Sequence, residues 1–339
     1  MGAGGLEVEG LSFRHHISAP SLRNPWGTRQ GAGIHEVSFS VPSGSIVGLV
    51  GPNGAGKTTL LHILSGLRAP ESGKVKLNGK EWEDLKTLPE ARAEIGFMPD
   101  GVRWQGNSTP AKVLRRMSMI RSVDASQLLE LVGLKSRANE SLDRLSAGMR
   151  QRLSLACALL GSPSVLLLDE PFTGLDPVAQ KALQELLLQL AERGTTIIIS
   201  SHLLLELEAL VDRIVLLHQG QVIIEGKMDS VRQSLGLDRR LIIEGKTGNA
   251  KDILSKHGEI IHYQEGWTAT LQREDGWSLQ SREDIVTDLC KNGCPPFRIE
   301  AKLADLAEIL SAATGNDTIS MELADSTMVP LRKKEVEEE

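Results

Sequence analysis

The stretch Gly51-Pro52-Asn53-Gly54-Ala55-Gly56-Lys57-Thr58 fits the phosphate-binding pattern G-x-x-x-x-G-K-[ST] at every position. Before it, Ile46-Val47-Gly48-Leu49-Val50 reads as a short buried strand; after it, residues 57–67 read as an amphipathic helix. Strand, loop and helix in that order turn a pattern into a mechanism. Glycines let the loop turn tightly, so its N–H groups point inward at phosphate oxygens. The helix N-terminus adds partial positive charge. Lys57 is expected to reach the β- and γ-phosphates, and Thr58 to hold Mg²⁺. The chain is therefore expected to bind a nucleoside triphosphate.

Composition narrows what that nucleotide drives. A length of 339 residues suggests two domains, each able to bury its own core. A net charge of −6 and only 3% aromatics argue against a chain that lives on nucleic acid, and none is expected as a partner. Three cysteines, Cys157, Cys290 and Cys294, are an odd and sparse set that fits a reducing compartment. Cys290 and Cys294 have no nearby His or Cys to complete a metal set and read as structural or incidental. The N-terminus carries no secretory pattern, and no apolar run approaches the ~18 residues of a membrane span. A membrane role is thus expected only through a partner.

Residues 6–234 alternate apolar strands with helical patterns, the mark of an α/β layer fold. Buried strands are expected around residues 46–50, 165–168, 195–200 and 214–217, with a tight turn at Gln219-Gly220. Residues 18–33 hold Pro20, Pro25, Gly27, Gly31 and Gly33 and read as a loop or small insertion. A helical subdomain is expected at about residues 101–160, inserted between the two halves of the core. From about residue 236 the order becomes β-α-β-β-α-β, with a hairpin around Glu265-Gly266 and a closing helix over 302–313. The expected plan is thus an ATP-binding domain over 1–235, a small ferredoxin-like α+β domain over 236–315 and a charged tail over 316–339.

A second group of candidate residues follows the helical segment. Val165-Leu166-Leu167-Leu168-Asp169-Glu170 is an apolar run ending in two carboxylates. Buried parallel strands are nearly continuous in hydrophobes, and ligands bind at their carboxyl ends. Asp169 there is expected to hold Mg²⁺, and Glu170 to polarise the attacking water. Adjacent carboxylates coexist when a cation is present. Residues 195–200 end at the same sheet edge in Ser201-His202, which aims His202 at the γ-phosphate. Between the two groups, Leu145-Ser146-Ala147-Gly148-Met149-Arg150-Gln151-Arg152 opens a helix with Ser146 at the N-cap. Ser146 and Gly148 there make another phosphate-sized anion site.

Phosphate loop, helical insert, serine-led helix, Asp-Glu strand and histidine, in that order, resemble the ATP-binding subunit of ABC transporters. The resemblance covers about residues 6–234. It implies a P-loop core in which Gly51, Pro52, Asn53, Gly54, Ala55, Gly56, Lys57, Thr58 and Thr59 form the Walker A segment. It implies that Asp169 and Glu170 close Walker B, with Glu170 catalytic, and that Thr173-Gly174-Leu175-Asp176 form the D-loop. His202 resembles the switch histidine. Ser146 and Gly148 resemble the signature that closes over the nucleotide of a partner subunit. The form Ser-x-Gly-Met-x-Gln-Arg, with Ala147 and Met149 replacing glycine and glutamine, resembles exporter-type systems. The closing helix, loosely similar to that of exporter accessory domains, supports this.

Other positions depart further. Asp100 stands where the Q-loop glutamine is usual; it is expected to approach Mg²⁺ and the water and to alter turnover. No obvious aromatic stacks on adenine; His15 and Trp26 are the candidates. Met117, Met119 and Leu114 are candidates to line a groove for a membrane partner, or plain core. Implied are an ATPase using ATP and Mg²⁺, a homo- or heterodimer of ATP-binding subunits, and a separate transmembrane permease at the inner face of the cell membrane. The alternatives are a ribosome- or DNA-associated ATPase of the same class and a weakly hydrolysing ATP switch. Translation-type members carry two nucleotide domains and DNA-maintenance members long coiled coils, and neither is evident here. A P-loop kinase or GTPase leaves Ser146 and the Asp169-Glu170 pair unexplained.

Overall fold

The structure, a computed structural model, describes residues 5–18, 28–82, 93–237, 240–264, 267–273 and 277–315. Trp26, the Glu265-Gly266 turn and the charged tail lie outside the described residues. The chain divides into two compact units, Met1–Met228 and Asp229–Glu339.

In the first unit a six-stranded sheet has the order β10-β9-β3-β8-β7-β6. Its strands are β3 (Ile46–Val50), β6 (Ile95–Met98), β7 (Val165–Asp169), β8 (Thr196–Ser200), β9 (Arg213–His218) and β10 (Gln221–Lys227). All neighbours pair in parallel except β10 on β9. β3, β7 and β8 are buried at every residue, which is why their sequences are apolar runs rather than alternations. The expected α/β P-loop core is present. The β9–β10 turn is Gln219-Gly220, with φ of 48° and 80°; two positive values make the primed turn that suits strand twist.

Helix α1 (Lys57–Leu64) packs Leu60, Leu61, Ile63 and Leu64 into the core shared with β3, β7 and β9. Each such side chain contributes roughly 1.5–3 kcal/mol. The helix stops three residues earlier than the pattern suggests. Gly66 takes φ 73°, its N–H bonds Ile63 O, and the Leu67 N–H bonds His62 O. That pair of bonds is a Schellman stop. His62 packs edge-on to Phe97, and burial, aided by Arg68, holds its imidazole below the usual range.

A second sheet has the order β2-β1-β4-β5, all antiparallel. It is built from β1 (Gly5–Ser18), β2 (Thr28–Pro42), β4 (Ser72–Leu77) and β5 (Lys80–Trp82). Here the loop reading is corrected for residues 28–33, which are strand; residues 19–27 lie outside the described residues. β1 runs to Ser18 and β2 starts at Thr28, paired Ser18 with Thr28 and Arg14 with Gly33. Gly33 marks close backbone approach rather than a break: a Cβ there would lie 1.8 Å from Phe13 O.

Between β6 and β7 the described residues hold helices and no strand. These are α2 (Pro110–Arg121), the single turn α3 (Leu128–Leu131), two short 3₁₀ turns and α4 (Ala147–Ala158). Thr109 caps α2 by accepting from the Lys112 N–H. Leu114 is buried, whereas Met119 and Ile120 are exposed, so Leu114 belongs to the core and lines no groove with Met119. Two helices follow, α5 (Pro177–Glu192) and α6 (Leu204–Glu208).

The second unit holds a four-stranded antiparallel sheet of order β12-β13-β11-β14. Its strands are β11 (Arg240–Gly245), β12 (Glu259–Gln264), β13 (Thr268–Gln272) and β14 (Pro296–Lys302). β11 buries every second residue, the pattern of a sheet covered on one face. Leu241, Ile243, Trp267, Ala269 and Leu271 meet Leu254, Ile285 and Leu289 in its core. Leu254 comes from α8 (Lys251–Leu254), Ile285 and Leu289 from α9 (Leu279–Lys291); α7 (Met228–Ser234) precedes the sheet. The single turn α8 opens where Asn249 Oδ1 takes the Lys251 N–H in a local turn. The closing helix α10 (Leu306–Thr314) begins later than expected because Asp305 and Glu308 form a reciprocal capping box.

The three cysteines differ in accessibility. Burial pushes the Cys157 thiol up to about 12, Cys294 is buried in the second unit's core, and Cys290 is exposed. Thiolate character and access set reactivity. A maleimide at pH 8 is expected to label Cys290 alone in the native protein, and all three after denaturation; peptide mass mapping checks this. Rapid native labelling at Cys157 would contradict the packing.

Candidate functional site

The register of the central sheet builds the site. Ser200 pairs with Asp169 on one side and with Leu49 on the other, so β3, β7 and β8 end in one row. The loop after β3 turns on Gly51, φ 154°, where a Cβ would come within 2.1 Å of Leu217 O. Gly56, φ 107°, precedes α1, and no side chain caps that helix. Its first-turn N–H groups are the unsatisfied donors that an anion completes. Lys57 Nζ donates to Gly51 O at 2.6 Å and Pro52 O at 3.2 Å, so the loop holds its own ammonium over the phosphate position.

Asp169 is 2% exposed, and its Oδ1 accepts from Ser200 Oγ at 2.5 Å. Its Oδ2 is buried with no hydrogen-bond partner. An unsatisfied buried carboxylate oxygen costs several kcal/mol unless a cation or its water completes it. With the Thr58 hydroxyl in the same cleft, this donor set fits Mg²⁺.

Glu170 has φ 51°, a left-handed conformation costing ~1–3 kcal/mol in a residue with a side chain. Surrounding bonds hold it there. Its N–H meets Ser200 O and Oγ at 3.1 and 3.2 Å. Its carbonyl and that of Pro171 accept from Gln151 Nε2 at 3.2 and 3.1 Å. Its Oε2 accepts from the His202 N–H at 3.2 Å and lies 2.6 Å from His202 Nδ1.

These parts open on one cleft of about 500 Å³. Asn53 through Thr59, Asp100, Asp169, Glu170, His202 and His15 all line it. Gly51 and Pro52 sit behind, offering carbonyls to Lys57. His15 Nε2 lies 3.1 Å from Thr59 Oγ1, and its ring meets Phe13 edge-on. Ser146 and Gly148 are elsewhere. Ser146 caps α4, its Oγ accepting from the Met149 N–H, and neither residue lines the cleft. A Cβ on Gly148 would lie 3.2 Å from Leu175, and one on Gly174 3.6 Å from Ala147, so the helix start packs beside the 173–176 turn.

Sequence reading gave no role to Ser200, Gln151, Ala32 or Gly33. Ser200 carried a signal, as the polar end of an apolar strand. Ala32 and Gly33 reach the cleft because residues 28–33, read as part of a loop, are strand.

A phosphate loop at the end of a parallel strand, with a buried carboxylate ending the strand two places along, defines a P-loop nucleoside triphosphatase. The ABC transporter family pattern matches residues 34–173. An ABC transporter ATP-binding protein of Nostoc sp. is 31% identical over 74% of this chain and 75% of its own. Nod factor export ATP-binding protein I of Burkholderia orbicola is 37% identical over 67% and 78%. The lantibiotic transport ATP-binding protein SrtF of Streptococcus pyogenes is 35% identical over 63% and 91%. A solved ATP-binding subunit of an ABC transporter superposes with TM-score 0.57 at 30% identity, covering 68% of this chain and 93% of its own. The chain belongs to the ABC transporter ATP-binding proteins, and it is an ATPase. Among the described residues no helix is long and apolar enough to cross a membrane.

Proposed function

We propose that this chain is the motor of an exporter: two copies close head to tail around two ATP molecules and drive a separate transmembrane permease. Ser146 carries this reading. It leads a helix whose first turn it caps with its own hydroxyl, the arrangement of an anion site, and it stands outside the cleft that Lys57 lines. An open cleft of about 500 Å³ holds a triphosphate from one side only. A second chain's Ser146 and Gly148 supply the missing wall.

Within each cleft, Lys57 and the uncapped start of α1 take the phosphate charge. Glu170 orients the attacking water and accepts its proton, and His202 steadies Glu170 and meets the γ-phosphate. Thr58 and Asp169 would hold Mg²⁺, which would supply positive charge against the triphosphate, and Asp100 lines the same cleft. Asp100 adds a third carboxylate and is expected to alter turnover rather than abolish it. His15 supports the base. The second unit is a ferredoxin-like accessory domain, and the assembly sits at the inner membrane face through the permease. The relatives named for Nod factor export and lantibiotic transport favour export over a ribosome- or DNA-bound role.

Light scattering after gel filtration tests the sandwich. Glu170→Gln keeps the side-chain shape but removes the carboxylate, so saturating ATP should trap a dimer, and adding Ser146→Arg should return it to monomer. A Glu170→Gln protein that stays monomeric at saturating ATP would sink the sandwich.

A further inference from the structure

We propose that Gln151 is a positioning residue for hydrolysis, tying the serine-led helix α4 to the catalytic carboxylate of its own chain. One amide NH₂ offers two hydrogens, and here they meet two consecutive carbonyls, those of Glu170 and Pro171. Those carbonyls belong to the two successive peptides that follow Glu170, which itself holds the left-handed conformation. Ser200 holds the nitrogen side of the residue and His202 the carboxylate, so Gln151 closes the third side. Without it, a sparsely populated backbone state loses its restraint on the carbonyl side, and the carboxylate swings on His202 alone.

The same helix carries Ser146 at its N-cap, five residues before Gln151. A rigid helix links the two. Seating a partner's nucleotide on Ser146 therefore sets the position of Gln151, and through it Glu170 of the same chain. This deepens the proposed function and rests on its assignment of Glu170 as the base.

The test compares the full chain with Gln151→Met, isosteric but without donors, and Gln151→Glu, which sets a carboxylate against two carbonyls. Expected is a fall in kcat of roughly 10- to 100-fold, the cost of misplacing a reacting group by about an ångström. KM for ATP should stay within about threefold, the mark of an interaction spent on turnover rather than binding. Faster hydrogen exchange is expected in peptides covering 170–176, independent of activity. Parent-like kcat and exchange in both variants would overturn the proposal. So would a parallel loss of ATP binding and kcat, the signature of a merely structural side chain. Glu170→Gln in the same assay separates the two readings. If it keeps parent turnover, the assignment of Glu170 fails and the positioning role with it. If it loses turnover while Gln151→Met does not, only the role of Gln151 fails.

Discussion

Lys57→Ala is expected to lower ATP turnover by roughly 10³-fold or more and to weaken nucleotide binding with it. The ammonium already lies against Gly51 O and Pro52 O at 2.6 and 3.2 Å, held over the cleft by the loop that will wrap the phosphates. Little ordering is then required when the triphosphate arrives, so the charge acts at nearly full strength in a partly buried site. Alanine removes that charge, leaving the helix terminus and His202 against the γ-phosphate. Far-UV circular dichroism should be unchanged, because α1 buries Leu60, Leu61, Ile63 and Leu64 on its other face. Calorimetric titration with ATP and a phosphate-release assay give the two numbers. Turnover within about tenfold of the parent would remove Lys57 from the mechanism.

Trp267→Ala is expected to unfold the second unit while leaving nucleotide binding in place. Trp267 is 1% exposed and touches the heart of that unit's core. Its ring lies so close to β11 that a Cβ on Gly245 would meet it at 2.1 Å. Its main chain exchanges two 3.0 Å bonds with Gly245, and its indole N–H donates to Thr247 O at 3.0 Å. Removing a buried Trp side chain costs about 3–5 kcal/mol. Small domains have only about 5–15 kcal/mol in total, so the loss takes a large share of it and the whole of it at the low end. Limited proteolysis should cut the variant within 240–315 while the parent resists, and ATP titration should still show binding. A protease-resistant variant would mean the sheet relaxes around the cavity.

Much of the site was legible because its parts are local in sequence. The phosphate loop, the apolar run into Asp169 and the cap at Ser146 each sit within a dozen residues, and each states its own chemistry. What escaped depends on pairing across distance. Ser200 gains its role only because β8 lies beside β7 in a register that sets it against Asp169. Gln151 reads as part of the signature form, with no role of its own, until the fold brings the carbonyls of Glu170 and Pro171 within reach of its amide. Glycine misled at residues 28–33 because a breaker and a close-contact residue look alike in one dimension; Gly33 is the second kind. Helix ends shifted where caps won over periodicity, at Gly66 and at Asp305.

The shared rung of Leu49, Asp169 and Ser200 also divides the molecule by how it tolerates changes of length. Side chains on a strand alternate sides, so one residue added inside β7 would rotate the carboxylate away from its serine. Segment 99–164 has no such rung to keep and can lengthen or shrink between its helices. Indels in this lineage should therefore collect in the helical stretch and spare the strands that hold Asp169 and Ser200 in register.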